Sequence, residues 1–140
     1  MTKHLLSIND LSILLPEGAD RKCAIDNVNL TLNAGETLCV VGESGSGKSL
    51  TAKAIMGLLP APHVRVGSGS INFGSEDLVQ VSYERLRQIR GSEISMIFQE
   101  PMTALNPVMS IGNQIDEIFR YHASMTKLER QGKAIQLLKD

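Results

Sequence analysis

The chain has 140 residues, with 14 Lys and Arg against 15 Asp and Glu, and a formal net charge of −1 at pH 7. This length suffices for one domain with a core of its own, and a hydrophobic fraction of 42% is ordinary for a globular protein. The balanced charge lacks the basic excess that is typical of nucleic-acid-binding proteins, so nucleic acid is not an expected partner. No segment approaches the ~20 apolar residues that a membrane-spanning helix needs.

The chain begins with two predicted strands. Residues 5–15 are rich in apolar side chains, and residues 24–32 alternate between apolar and polar ones. The polar stretch 16–21 contains a proline and a glycine and predicts the turn that joins the strands into a hairpin. A second turn is predicted at residues 33–36.

Residues 42–49, which read GESGSGKS, fit the pattern G-x-x-x-x-G-K-[ST] at every fixed position. We call this segment the phosphate loop. The preceding residues 37–41 predict a central parallel strand because they are apolar on both faces, and residues 50–56 predict a helix. A strand, a glycine-rich loop and a helix in this order bring backbone N–H groups and a positive helix end towards phosphate oxygens.

The predicted nucleotide ligands are Gly42, Glu43, Ser44, Gly45, Ser46, Gly47, Lys48, Ser49 and Leu50. Among them, Lys48 supplies a positive charge for the β- and γ-phosphates, and Ser49 supplies a hydroxyl for Mg²⁺. The alternative is a glycine- and serine-rich turn that binds nothing.

The middle of the chain is less regular. Residues 57–62 contain two prolines and end the helix, residues 67–70 predict a loop, and residues 70–73 a short strand. Residues 82–90 predict a short helix with a solvated basic face.

A strand predicted at residues 94–98 would place Gln99 at its carboxyl end, where polar side chains of parallel strands face a ligand. Gln99 is therefore a candidate for contact with Mg²⁺ or the attacking water, the alternative being an ordinary loop residue. Farther on, apolar residues of 111–122 share one helical face, with His122 as a packing residue. Thr126 and Glu129 fit a capping box that opens a last helix.

Two strings carry a resemblance to a known family. The first is NAGET at residues 33–37, which leads towards the phosphate loop, and the second is MIFQEPMTALNP at residues 96–107. Together they resemble the nucleotide-binding subunits of ABC transporters, and in particular the ATP-binding proteins of bacterial oligopeptide, dipeptide and glutathione importers. The similarity runs from about residue 5 to the end of the chain.

The resemblance implies an α/β fold, the P-loop NTPase core of an ABC ATPase, with a small N-terminal antiparallel β-subdomain. It implies that residues 1–140 are the N-terminal portion of one nucleotide-binding domain, incomplete at the C-terminus. Residues 1–109 would form the β-subdomain and the core, and residues 110–140 the start of the helical subdomain.

The resemblance also implies ligands and partners. ATP and Mg²⁺ would be bound, with Lys48 and Gln99 as catalytic residues and with Ser49 and Gln99 as metal ligands. The implied partners are a second nucleotide-binding subunit, permease subunits that contact residues 99–107, and indirectly a solute-binding protein. The implied role is ATP hydrolysis coupled to uptake of peptide-like solutes, at the cytoplasmic face of the inner membrane.

The chain departs from the family pattern in several places. Its 140 residues contain no LSGGQ-like signature, no apolar strand that ends in Asp-Glu and no switch histidine. The aromatic residue that stacks on adenine is missing from residues 18–21, where Arg21 is the candidate substitute. We therefore expect nucleotide binding with little or no turnover by this chain alone. Since the sheet would lack its later strands, we also expect exposed apolar surface and self-association or marginal stability.

Three other hypotheses stay open: a soluble P-loop enzyme such as a small-molecule kinase, a non-transport ABC ATPase that acts on ribosomes or DNA, and an inert truncated product. The string at residues 99–107 argues against the first two.

Overall fold

The computed structural model of the protein describes residues 4–100 and 105–139. The chain divides into two compact units, Met1–Arg87 and Gln88–Asp140. The described residues of the first unit form β1 (Leu6–Leu14), β2 (Cys23–Leu32), α1 (Lys48–Ile55), β3 (Arg65–Phe73) and β4 (Glu76–Asp77). Helix α2 (Tyr83–Ile89) begins in the first unit and ends in the second, which also contains α3 (Ile111–His122) and α4 (Lys127–Leu137).

The strands of the first unit form one antiparallel sheet in the order β2-β1-β3-β4. The predicted hairpin and the antiparallel β-subdomain are therefore confirmed. Strand β1 lies between β2 and β3 and contributes most of the buried apolar side chains of the sheet. The fully buried large side chains of this sheet are Ile8, Leu11, Ile13 and Ile71.

A bulge keeps the apolar residues of β1 on one face. Leu11 follows Ile8 by three positions, and in a regular strand this odd offset would place the two side chains on opposite faces. The register of β1 against β2 shifts between these two residues, where Asp10 adopts a φ of 48°. Asn27 on β2 also has a positive φ, of 51°. With this irregularity in the ladder, both Ile8 and Leu11 are buried.

Strand β3 is longer than the sequence predicts, because residues 67–70 continue it instead of forming a loop. Glycines here serve close packing between strands. A Cβ at Gly67 would lie 2.6 Å from Cγ of Leu14, and a Cβ at Gly69 would lie 2.5 Å from the carbonyl oxygen of Asp10. The prediction of a loop was wrong since glycine signals both turns and close backbone approach.

Two other predicted strands were also wrong. Within residues 4–100 and 105–139, segment 37–41 joins no ladder, and segment 94–98 contributes only a bridge between Ile94 and Arg90. Both segments are apolar and need neighbouring strands to satisfy their backbone groups. Val41 is 91% exposed and Ile97 is 95% exposed, so neither segment is covered as a central strand would be.

Helices α3 and α4 of the second unit begin at side-chain caps. The Ser110 hydroxyl accepts a hydrogen bond from the Asn113 N–H, and Thr126 and Glu129 form the predicted capping box. The helices are joined by an ion pair of 2.7 Å between Nε of Arg130 and Oδ1 of Asp116. Helix α3 has no fully buried residue, and its apolar face is partly exposed, since Ile111 and Ile118 are exposed while Ile115 and Phe119 are half-buried.

The His122 ring packs against Gly91, where a Cβ would lie 3.0 Å from Nε2.

The predicted helix over residues 82–90 is present as α2. Among the described residues, no helix has the length and apolar character needed to cross a bilayer.

Candidate phosphate-binding site

The phosphate loop connects segment 37–41 to helix α1, which begins at Lys48, two residues before the predicted start at residue 50. Gly47 is the N-cap residue of α1 and has a φ of 95°, in the left-handed region. In the part of the chain that the structure describes, this N-cap forms no side-chain cap hydrogen bond with the first turn of the helix. Because the first N–H groups of a helix have no partner within the helix, this end of α1 suits an anion.

Gly47 also fixes the loop to the sheet. A Cβ at Gly47 would lie 2.7 Å from Cγ1 of Ile25, which is buried in β2. The carbonyl oxygen of Gly47 accepts hydrogen bonds from the N–H of Thr51 at 2.8 Å and from its hydroxyl at 3.1 Å. Glycine is therefore required at position 47 by both its backbone conformation and its contact with β2.

Lys48 lies over the phosphate loop. Its Nζ donates to the carbonyl oxygens of Gly42 and Glu43, at 2.7 Å each, and to the Ser46 hydroxyl at 3.3 Å. A Cβ at Gly42 would lie 2.8 Å from Oγ of Ser46, so the two arms of the loop approach each other closely. The ammonium group is thus held at the centre of the loop, where it can contact a bound phosphate group.

The structure places the nine predicted nucleotide ligands in one continuous segment of the first unit. Ser49 is exposed on the first turn of α1, and Leu50 is half-buried. Among the described residues, no cluster of three or more His, Cys, Asp or Glu side chains could hold a metal ion. A divalent cation here would need hydroxyl and phosphate oxygens as its ligands, which fits the Ser49 hydroxyl.

Gln99 lies in the second unit, at an exposed bend after residues 95–98. The sequence predicted that Gln99 follows a strand at residues 94–98, but these described residues form no strand. Residues 101–104 of the predicted permease-contacting loop lie outside the described residues. Near the end of that loop, the Gln114 side chain bonds to both the N–H and the carbonyl oxygen of Asn106.

A cleft of about 500 Å³ is formed by the turn of the β1–β2 hairpin and the start of β3. It is lined by residues 14–22 and Arg65. Arg21 extends from this turn to the phosphate loop, where its Nη2 donates to the carbonyl oxygen of Gly45 at 3.2 Å. Sequence reasoning proposed Arg21 only as a base-stacking residue and missed this contact, which joins residues 24 positions apart.

Comparison with known proteins agrees with this geometry. The ABC transporter sequence profile matches residues 25–140. The chain belongs to the ABC transporter family. It is 45% identical over 135 residues to the oligopeptide transport ATP-binding protein OppD of Bacillus subtilis, covering 96% of this chain and 38% of OppD. It is 44% identical over 140 residues to the probable D,D-dipeptide transport ATP-binding protein DdpD of Escherichia coli, covering 100% of this chain and 43% of DdpD.

Solved structures show the same ABC fold. The dimeric bacterial ABC transporter cassette MJ0796 superposes with a TM-score of 0.78 at 25% identity, covering 96% of this chain and 56% of that chain. MJ0796 bound to ADP and Pi in a post-hydrolysis state gives a TM-score of 0.76 at 24% identity, with the same coverage. The antiparallel sheet with its helices is the N-terminal part of the ABC fold. The predicted family and fold class are confirmed, and this ABC chain spans less than half the length of OppD and DdpD.

Proposed function

We propose that this chain is the nucleotide-binding part of an ABC importer subunit and holds the triphosphate of ATP in the phosphate loop. The observation that carries the proposal is the position of Lys48, whose ammonium group lies between Gly42 and Glu43 at the uncapped end of α1. A positive charge and free helical N–H groups at one point favour a phosphate over a neutral ligand.

The residues of the site have separate proposed roles. Backbone groups of residues 42–50 would surround the phosphates, and Lys48 would neutralise the β- and γ-phosphates. Ser49 would bind Mg²⁺, whose charge would offset that of the phosphate oxygens. Gln99 would contact the metal and sense the γ-phosphate. Residues 1–109 and 110–140 would correspond to the core with its β-subdomain and to the start of the helical subdomain.

The proposed solute class is peptide-like, because OppD and DdpD carry oligopeptide and D,D-dipeptide transport in their names. Proposed partners are a second nucleotide-binding subunit and permease subunits that contact residues 99–107, with a solute-binding protein as an indirect partner. The proposed location of the chain is the cytoplasmic face of the inner membrane. The dimeric form of MJ0796 supports the first partner.

Binding is proposed to precede any turnover, and the 140-residue chain alone is expected to turn over little ATP. Phosphoryl transfer to water needs a group that orients the attacking water in addition to a phosphate cradle. Lys48 and Ser49 supply the cradle, while Gln99 is the one proposed residue of this chain that would act on the water.

Displacement of a fluorescent ATP analogue by ATP, ADP and AMP tests the proposal. A triphosphate site predicts affinity in the order ATP, ADP, AMP, since each added phosphate gains contacts with the loop. Lys48→Ala is expected to remove this order, whereas Lys53→Ala, which removes a charge from the last turn of the same helix, is expected to keep it. Equal displacement by AMP and ATP in the unmodified chain would overturn the proposal.

A further inference from the structure

Arg21 lies outside the phosphate loop and forms a hydrogen bond to its backbone. Its Nη2 donates to the carbonyl oxygen of Gly45 across 24 residues of sequence, from the turn of the β1–β2 hairpin. On the other side of the same peptide group, the N–H of Ser46 donates to the carbonyl oxygen of Glu43 at 3.3 Å. The Gly45–Ser46 peptide group is therefore fixed at both its oxygen and its N–H.

The hydrogen bond from Arg21 restrains a residue, Gly45, that has little steric restraint of its own. Gly45 has a φ of 79°, and no heavy atom lies within 4 Å of the position that a Cβ would occupy. A glycine in open space has little steric resistance to rotation of the adjacent peptide groups. The hydrogen bond from Ser46 to Glu43 closes a four-residue turn with Gly45 at its third position, and that bond does not itself engage the Gly45 carbonyl oxygen.

We infer that Arg21 is a positioning residue for the phosphate loop, which fixes the Gly45–Ser46 peptide group in the orientation that a bound phosphate requires. The inference deepens the proposed function and rests on it, because it names the residue that orders the same loop before the nucleotide binds. Ordering the loop beforehand lowers the entropic cost of binding and so raises phosphate affinity.

The cleft beside Arg21 suggests a second role for the guanidinium group, namely stacking on a nucleotide base. Its volume of about 500 Å³ and its Leu14 and Leu15 side chains would accommodate a nucleotide base, on which a guanidinium group can stack. The hydrogen bond to Gly45 instead directs the guanidinium group to the loop backbone. The two roles differ in a measurable way, since a loop-positioning residue acts on every polyphosphate and a base-stacking residue acts only on ligands that contain a base.

The test compares the affinity of ATP with that of inorganic tripolyphosphate, each with Mg²⁺, for the unmodified chain and for Arg21→Ala, Arg21→Lys and Lys22→Ala. Lys22→Ala is the matched control because it removes one positive charge from the same turn and cleft. Arg21→Ala is expected to weaken both ligands to a similar extent, about threefold to tenfold, as for one hydrogen bond. Arg21→Lys is expected to recover part of the loss for both ligands.

A loss for ATP with unchanged tripolyphosphate affinity would overturn the inference in favour of base stacking. An equal loss in Arg21→Ala and Lys22→Ala would overturn it in favour of a general effect of charge.

Amide hydrogen exchange of the ligand-free chain gives a readout that does not depend on nucleotide binding. Arg21→Ala is expected to speed exchange at Ser46 and Gly47, while Lys22→Ala leaves it unchanged. If the unmodified chain bound neither ATP nor tripolyphosphate, the proposed function would fail, and exchange would still decide whether Arg21 orders the loop. Identical exchange in the unmodified chain and Arg21→Ala would contradict the inference.

Discussion

The ammonium nitrogen of Lys48 lies 2.7 Å from the carbonyl oxygen of Gly42, the first residue of the phosphate loop. Hydrogen bonds from a charged donor are stronger than those between neutral groups. This bond and the bond to Glu43 therefore hold the two ends of the loop together. The same side chain that is proposed to bind phosphate also stabilises the loop that surrounds it.

Gly47→Ala is expected to disrupt the loop more than Gly45→Ala. Both glycines have a positive φ, which costs an alanine about 1–2 kcal/mol. An alanine Cβ at position 47 would in addition lie 2.7 Å from Cγ1 of Ile25, whereas a Cβ at position 45 would meet open space. Chemical denaturation of the two variants measures the difference in the free energy of unfolding.

We expect Gly45→Ala to lower the free energy of unfolding by about 1 kcal/mol and Gly47→Ala by a larger amount, about 2 kcal/mol or more. ATP affinity should fall in the same order. Equal effects of the two substitutions would show that the contact between Gly47 and Ile25 does not restrain the loop.

Arg130→Ala is expected to destabilise the second unit. Arg130 pairs with Asp116 at 2.7 Å and also donates to the carbonyl oxygen of Met125, and the two charged side chains are only 16% and 24% exposed. A partly buried pair contributes more than an exposed one, so we expect a loss of about 1–2 kcal/mol. Lys133→Ala, on an exposed residue of the same helix, is the control.

A double-mutant cycle with Asp116→Asn separates the ion pair from the bond to Met125. The coupling energy between positions 116 and 130 should be clearly favourable. A coupling near zero would mean that Arg130 stabilises the helix pair only through the Met125 carbonyl.

The start of helix α4 is expected to weaken in acid. The side-chain hydrogen bond from Thr126, together with its backbone N–H, lowers the pKa of Glu129 below its ordinary value of 4.5. A carboxylate with a lowered pKa stabilises the folded state fully above 4.5, and this contribution is lost as the pH falls through the folded-state pKa. Unfolding followed as a function of pH in the unmodified chain and Glu129→Gln measures it.

The difference in stability between the two proteins should be constant above about pH 5 and should shrink below 4.5. Lys127→Ala, on a neighbouring exposed residue, is not expected to change this pH dependence. A difference that stayed constant down to pH 3 would contradict the assigned role of the Glu129 carboxylate.

Self-association of the 140-residue chain is expected to depend on its two exposed apolar segments. Val41 and Ile97 are almost fully exposed, and neither segment 37–41 nor segment 94–98 pairs with a strand among the described residues. Unpaired apolar segments favour association between chains. Sedimentation velocity should show concentration-dependent association that Val41→Lys and Ile97→Lys reduce.

Ser124→Lys adds the same charge at an exposed residue outside both segments and serves as the control. A clean monomer with a sharp, reversible thermal transition would contradict this expectation.

Local signals in the sequence predicted most of the fold. The alternation of β2, the capping box of Thr126 and the motif that ends in Lys48 each depend on residues close together in the chain. Strand β3 was underestimated because Gly67 and Gly69 are explained by a neighbouring strand, which composition does not reveal. Strands at 37–41 and 94–98 were predicted from apolar character alone, although a strand also needs partners for its backbone groups.

In the phosphate-binding site, too, features that depend on neighbouring residues were predicted, and contacts between distant residues were not. The residues of the phosphate loop could be named from their pattern, and the helix that follows begins at Lys48, two residues before the predicted start. The bond between Arg21 and Gly45 and the packing of Gly47 on Ile25 had no signal in the sequence, because each joins residues more than 20 positions apart.

Titration calorimetry of Mg-ATP into the purified chain, with Lys48→Ala as the comparison, tests the central claim most directly. The account predicts saturable binding at one site by the unmodified chain. It predicts an affinity about tenfold to hundredfold weaker in Lys48→Ala, as for the loss of a charged hydrogen-bond donor. Equal affinity in the two proteins, or no binding by either at millimolar ATP, would contradict the claim that this phosphate loop binds nucleotide.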